Sequence, residues 1–259
     1  MASEVKLLNI LIARPLKKAQ SLATSLSNMG LESICQPMFD YQPFADFPTS
    51  KSLLTNNNIV IFVSASAVEY ANKIFAAKNW RYQHIIAVGA ATKKALEALE
   101  QHNVISPVQE NSEGLLALPQ LSKRFSGELI TIVRGDSGRE HLATQLTKQG
   151  ANVTYLESYQ CVWRTFPEGM GKQWLKQQIN CIVVTSNAIL EKLIQLTLDQ
   201  HKQNEDQLEQ DFWQHQCLWI VASQRIADRA EQFGLTQVII SDGASEKAII
   251  TTLKQLTDR

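Results

Sequence analysis

The chain predicts an α/β protein of two similar domains, each with a parallel β-sheet covered by helices on both faces. Three observations support this. Short apolar runs alternate with amphipathic helical stretches along the sequence. The alternating units fall into three kinds, and each kind occurs twice. Two proline- or glycine-rich segments interrupt the alternation, as domain crossings do.

The first unit runs "ILIARPLKKAQSLATSLSNMGLES" and recurs at a constant offset of 120 as "ITIVRGDSGREHLATQLTKQGANV". Ile10, Ile12, Arg14, Leu22, Ala23, Thr24, Leu26 and Gly30 meet Ile130, Ile132, Arg134, Leu142, Ala143, Thr144, Leu146 and Gly150. Each copy reads as a buried strand, a loop, an amphipathic helix, a glycine stop and a second strand. The second unit, "IVIFVSASAVEYANKIF", is matched by "CIVVTSNAILEKLIQL"; both are a strand, a small hydroxyl residue and a helix. The third is strand, helix, strand, helix: "IIAVGAATKKALEALEQHNVISPVQENSEGLLAL" against "LWIVASQRIADRAEQFGLTQVIISDGASEKAIIT". An offset of 133 aligns Val88 with Val221 and Ser112-Glu113 with Ser245-Glu246. Each set supplies roughly five strands, the size of a flavodoxin-like doubly wound domain.

A cut near Gly127 would separate the copies in sequence. Two other places look more like crossings: Pro37 to Asn58, with three prolines, and Gln160 to Asn180, with Pro167, Gly169 and Gly171. Two linkers suit a discontinuous arrangement, and periodicity alone does not choose between the cuts. The polar stretch Asp199 to Gln216 reads as a surface excursion.

Composition narrows the function. With 259 residues and 44% hydrophobic content, the chain has enough material for two cores. Lys+Arg and Asp+Glu balance at 25 each, so no global field attracts nucleic acid or an anionic membrane. No apolar run approaches a membrane span. Met1 to Lys6 lacks a signal-peptide layout. Cys35, Cys161, Cys181 and Cys217 lack metal-ligand spacing and sit in or beside apolar runs, as buried reduced thiols of a cytoplasmic protein would. The five histidines form no helical i, i+4 pair with a carboxylate, and most are expected at the surface.

Conventional catalytic patterns are missing: no G-x-G-x-x-G, no Walker A, no G-x-S-x-G. What recurs is a strand end followed by small polar residues at a helix start. Examples are Ser64-Ala65-Ser66, Gly89 to Thr92, Ser112-Glu113, Thr185-Ser186-Asn187, Ser223 and Ser245-Glu246. N-capping accounts for each singly, and for Ser112 and Ser245 in particular. Taken together at the carboxyl edge of parallel sheets, exposed N–H groups and partial positive charge also fit a polyanionic ligand. "VRGDSGRE" is one such strand-to-helix passage. Gly135 and Gly138 permit a tight turn, and Asp136 or Ser137 is placed to cap. Arg134 and Arg139 are candidate carboxylate clamps, with a salt bridge as the alternative for Arg134.

These features resemble the uroporphyrinogen-III synthase family. The resemblance covers nearly the whole chain, in the ordered set "LIARP", "IVIFVSASAV", "IIAVGAAT", "NSEGLLAL", "VRGDSGREHLATQLTKQGANVTYLESYQ", "VVTSNA" and "IIS…ASEKAI". It implies the discontinuous split: 1–37 with 170–259 as one domain, 44–160 as the other, and 38–43 and 161–169 as extended linkers, with the site in the cleft between. It implies a linear tetrapyrrole polycarboxylate, hydroxymethylbilane, as substrate. The product is the macrocycle with its last ring inverted, water is released, and neither metal nor organic cofactor takes part. A monomer is expected. Tyr159 in "LESYQ" matches the family's cleft tyrosine, a plausible donor to the departing hydroxyl; packing is its alternative role. Ser64, Thr92 and Ser186 match family positions near substrate. Ser223, Gln224 and Arg225 stand where relatives often carry a glycine and threonines, and Cys161 where many bacterial members have arginine. The expected substrate-binding set is Arg14, Ser64, Thr92, Arg134, Gly135, Arg139, Ser186, Asn187, Ser223 and Gln224. A non-enzymatic two-domain anion-binding protein is the competing reading, and a nucleotide-dependent transferase is disfavoured by the missing phosphate loops.

Overall fold

The computed structural model describes residues 8–136, 140–198 and 207–257. The chain forms two units, Met1–Asp40 with Trp163–Arg259, and Tyr41–Val162. The described strands are β1 (Asn9–Ile12), β2 (Glu32–Cys35), β3 (Phe39–Pro43), β4 (Asn57–Phe62), β5 (Tyr82–Ala87), β6 (Leu129–Gly135), β7 (Asn152–Trp163), β8 (Cys181–Val184), β9 (Leu218–Val221) and β10 (Val238–Ile240).

The first unit carries a sheet in the order β10-β9-β8-β1-β2, parallel at every step. In the order the chain visits them, this is the flavodoxin-like arrangement 2-1-3-4-5. Both faces are buried at the centre, so β8 and β9 are continuous apolar runs, whereas the edge strand β2 carries Glu32 and Ser33. Ile10 and Ile12 pack with Leu22, Leu26 and Ile249, while Leu11 and Ala13 pack on the other face with Trp174, Leu190 and Trp213.

The second unit has the order β3-β7-β6-β4-β5. Leu129 pairs with Asn152 as Asn9 pairs with Glu32, so β6 and β7 repeat β1 and β2 in the same register. β4 and β5 repeat β8 and β9. The same sheet is thus entered at its third strand. Its fifth strand shrinks to one bridge, Ile86 with Ile105, where the first unit pairs Ile220 with Ile239. β3 is added outside β7.

The structure moves one alignment by a residue. Gly89 and Ser223 are the N-caps of equivalent helices, and so are Asn111 and Ser245, at an offset of 134 in both cases. Asn111, not Ser112, caps the helix Ser112–Leu116: its Oδ1 accepts from the Gly114 N–H at 2.8 Å. Ser245 caps as expected, accepting from the Ala248 N–H at 3.1 Å. The shared Ser-Glu pair misled the alignment, because capping is set by place in the backbone rather than by residue type.

Three further expectations change. The segments expected as linkers are strand where they cross: β3 spans the first, and β7 runs on to Trp163. Extended backbone needs partners, and Arg164 supplies several. Its N–H donates to the Met38 carbonyl at 2.9 Å, and its guanidinium donates twice to the Asp40 carboxylate at 2.7 Å. The polar stretch before β9 is not wholly a surface excursion. Residues 199–206 lie outside the described residues, but Phe212–Gln216 forms a π-helical turn that buries Trp213 completely. Burying such a side chain contributes roughly 1.5–3 kcal/mol. Cys181 and Cys217 are buried, while Cys35 and Cys161 are only partly so. Four histidines are exposed, and His201 lies outside the described residues.

Gly30 and Gly150 close the two equivalent helices at positive φ, +74° and +99°. A Cβ on Gly30 meets nothing within 4 Å, whereas one on Gly150 would lie 2.5 Å from the Phe125 carbonyl oxygen. Gly30→Ala should therefore cost about 1 kcal/mol. Gly150→Ala should cost at least about 3 kcal/mol, because backbone must move as well. Parallel thermal melts compare them, and equal costs would mean that the crowding at Gly150 relaxes freely. We also propose that the second unit folds independently. A fragment of residues 41–162 should melt cooperatively, and one of residues 1–127, which lacks β6, β7 and β8, should not.

Candidate active site

A parallel sheet brings every strand's carboxyl end, and the start of the helix that follows, to one edge. Where the first and third strands of a doubly wound sheet lie side by side, their connections leave to opposite faces and open a crevice. In the second unit these neighbours are β6 and β4, which lead to Gly135 and Ser64. In the first unit they are β1 and β8, which lead to Arg14 and Ser186.

Ser64 is the extended N-cap of the helix Ala65–Ile74, and its Oγ accepts from the Ala67 N–H at 3.0 Å. The same oxygen lies 3.5 Å from the Tyr159 hydroxyl. Strand alternation alone would put Tyr159 on the face of Tyr155 and Glu157. The structure puts it on the other. Arg134 pairs with Glu157 and Gly135 with Tyr159, so Ser158 is an extra residue in a β-bulge. Val153 and Tyr155 pack in one core layer, Leu156 and Tyr159 in the opposite one. A bulge re-aims the side chain that follows it.

The Tyr159 ring is closely surrounded. Tyr41 meets it edge-on with centroids 4.7 Å apart, and Tyr70 lies at 5.5 Å. The Tyr70 hydroxyl donates to the Tyr41 carbonyl at 2.7 Å. Gly135 lies directly against the ring, where a Cβ would come within 2.8 Å of it. Burial pushes the phenol's pKa up from 10.0, with smaller upward contributions from Cys161, Asp136 and Tyr70 and an opposing one from the hydrogen bond with Ser64. The hydroxyl therefore keeps its proton through the neutral range.

Other expected residues are placed differently. Arg134 donates to Glu157 Oε1 at 2.9 Å and stacks over the Tyr155 ring at 3.6 Å, on the face away from Tyr159. The salt-bridge alternative describes this arginine. Arg139, Ser137 and Gly138 lie outside the described residues. Among the described residues Asp136 caps no helix; its carboxylate accepts from the Cys161 N–H at 3.2 Å. The mouth after β5 carries Glu110, whose carboxylate accepts from the Ala90 N–H at 2.8 Å. Thr92 is 3% exposed because it occupies the core position that Ile226 holds in the other unit.

In the first unit Arg14 is buried at the end of β1 and donates to the Ala244 carbonyl at 2.7 Å. Its Nε is buried without a hydrogen-bond partner among the described residues. Burial lowers its pKa and Glu246 raises it. Glu246 accepts from Ser21 and Ser25 at 2.6 Å each, which holds its own pKa down. Ser186 caps the helix Asn187–Thr197, accepting from the Ile189 N–H at 3.3 Å, and the Asn187 Oδ1 is buried without a hydrogen-bond partner among the described residues. Ser223 stands at its helix start without a side-chain cap bond among the described residues, and the exposed Gln224 donates to Asp228 at 2.7 Å.

Ser64, Gly135 and Tyr159 are thus brought together, as are Arg14 and the Ser186 mouth by strand adjacency. Sequence reasoning missed Tyr41, Tyr70 and Ser158. None of the three carried a local signal: by alternation Ser158 stands with Thr154, Leu156 and Gln160, where a serine is ordinary.

The model for uroporphyrinogen-III synthase HemD matches residues 20–251. The uroporphyrinogen-III synthase of Salmonella typhimurium is 29% identical over 95% of this chain and 100% of its own length. That of Escherichia coli strain K12 is 26% identical over the same shares. Among solved structures, a mutant uroporphyrinogen III synthase from Thermus thermophilus superposes with a TM-score of 0.58 at 12% identity, covering 97% of this chain and 99% of that one. The Helicobacter pylori 26695 enzyme gives 0.56 at 14%, over 96% and 99%. These structural likenesses speak for the fold, and the match along the sequence gives the relationship: the chain belongs to the uroporphyrinogen-III synthase family.

Proposed function

We propose that this chain closes hydroxymethylbilane to the macrocycle with its terminal ring inverted, releasing water, and that Tyr159 is its catalytic acid. Family membership supports the reaction. The observation that carries the assignment to Tyr159 is the place of its hydroxyl, 3.5 Å from Ser64 Oγ at the carboxyl edge of the sheet, where burial raises its pKa and so favours the protonated form.

The chemistry needs little covalent help. The C–O bond at the substrate's hydroxymethyl end breaks, and its electron pair leaves with the oxygen. A proton from the phenol converts that oxygen to water. The pyrrole nitrogen supplies the compensating electron pair and gives up its N–H proton, which restores the phenol, leaving a neutral azafulvene. Attack through the substituted carbon of the terminal ring forms a spiro intermediate, which reopens and recloses inverted. The open-chain substrate also closes unaided to the other isomer, so the protein's main task is to hold a geometry. Substrate carboxylates suit the helix starts at Ser64 and Ser186, where free N–H groups and partial positive charge stand in for a charged surface. The buried Arg14 adds one fixed cation.

The reading extends to a monomer, which light scattering tests, and to a cytoplasmic location, which four free thiols support. The deciding assay mixes the protein with freshly generated hydroxymethylbilane, oxidises the products and resolves the type I and III isomers. Binding without type III product would mark an anion-binding protein instead.

Tyr159→Phe should lower turnover by roughly 10²–10⁴ with little change in stability. Because the phenol's pKa lies above 10.0, this group should cause no loss of turnover from neutral pH up to about that value. A wild-type rate and isomer ratio in Tyr159→Phe would remove the hydroxyl from the mechanism. Gly135→Ala should push the Tyr159 ring aside and lower turnover by roughly 10- to 100-fold while the product still binds. Full activity in that variant would mean that the ring's position is not critical.

A further inference from the structure

We infer that Ser158 is a positioning residue for the reaction: the β-bulge it forms turns Tyr159 to the face where Ser64 lies. The inference rests on Tyr159 acting as proposed above.

Three observations carry it. First, β6 and β7 keep a regular register from Leu129–Asn152 to Arg134–Glu157, then skip Ser158 before Gly135 meets Tyr159. Without the skip, the period of two would place Tyr159 beside Glu157, on the side of Arg134 and Tyr155. It would then lie across the sheet from Ser64 and the helix Ala65–Ile74. Second, Ser158 is completely buried, and its Oγ lies 3.2 Å from two main-chain acceptors. One is the carbonyl of Arg134, on the strand that the bulge faces. The other is the carbonyl of Ala67, in the first turn of the helix that Ser64 caps. A single hydroxyl proton is shared between them, so one side chain ties the bulge both to β6 and to that helix. Third, the face receiving Tyr159 is shaped for it. Gly135 leaves room against the ring, and the rings of Tyr41 and Tyr70 lie alongside.

In the first unit the paired strands stop short of this point: β1 and β2 pair from Asn9–Glu32 to Ile12–Cys35, the counterparts of Leu129–Asn152 and Ile132–Tyr155. The bulge lies beyond the stretch that the two units repeat in register. It belongs to the unit that carries the tyrosine.

The experiment compares Ser158→Ala and the near-isosteric Ser158→Cys with the full-length parent. It measures single-turnover rate, KM, isomer ratio, melting temperature and the ¹⁹F resonance of 3-fluorotyrosine placed at position 159. Loss of the hydroxyl should lower kcat by roughly 10- to 100-fold, with a smaller effect on KM. It should raise the share of type I product, and shift or broaden the fluorine signal as the ring leaves Tyr41. A variant that melts lower but turns over normally per folded molecule would overturn the inference, because Ser158 would then be only structural. So would an unchanged rate with an unchanged resonance. If Ser158→Ala does not fold, Ser158→Cys carries the same comparison, since the thiol is a weak donor of similar size. The Tyr159→Phe variant separates the two ideas. If it is silent, the role of Tyr159 fails; if it is impaired while both Ser158 variants turn over like the parent, only the role of the bulge fails.

Discussion

A parallel sheet sends every strand toward the same edge, and the following helix has to begin there. Each unit of this protein is organised by that constraint. It makes the strands apolar on both sides, since helices cover both faces. It also collects strand ends, capping hydroxyls and unpaired helix N–H groups in one place. A chain with no net charge can then present a surface suited to polycarboxylates without a basic patch.

The edge is not uniform, because polar groups near one another also satisfy each other. Glu110 sits on the N–H of Ala90 and closes that helix start. Arg134 is engaged by Glu157 and by the Tyr155 ring. Arg14 is tied to a carbonyl and lies in the field of Glu246, itself held by two serines. Fixed partners hold each charge at a defined position. For a reaction whose outcome depends on which way a ring turns before closure, fixed positions matter more than total attraction.

The two units show how one plan diverges. The register of β1 with β2 is repeated by β6 with β7, and the helices that follow β1 and β6 both end on glycines. Yet the second unit begins the plan at its third strand, reduces its fifth strand to a bridge, adds β3 at the edge and extends β6 and β7 past the shared register into a bulge at Ser158. Phe39 lies 120 residues before Tyr159 and packs edge-on against Trp163 at 5.3 Å, without a hydroxyl to offer. The phenol has no counterpart at this position in the other unit.

The sequence by itself determined the α/β class, the duplication, the strands and helices that make it, and the serines that open three of the helices, Ser64, Ser186 and Ser245. These follow from local physics: apolar periodicity, capping and glycine stops act over a few residues and are written in them. The pairing of β3 with β7 was not legible, because prolines mark a break in helices without saying what the extended chain pairs with. Trp213 was hidden by its polar neighbours, since one indole among glutamines gives no periodicity. The assignment of Ser112 as a cap failed because two similar dipeptides sat one position apart in the backbone. Tyr159 could be singled out in the sequence, but its face could not. Alternation places it with Tyr155, and only the bulge, made by a serine hydroxyl reaching the carbonyls of Arg134 and Ala67 from elsewhere in the chain, turns it to Ser64. A contact between residues so far apart in sequence exists only once the strands and the helix have packed, so tertiary structure alone decided where the phenol points.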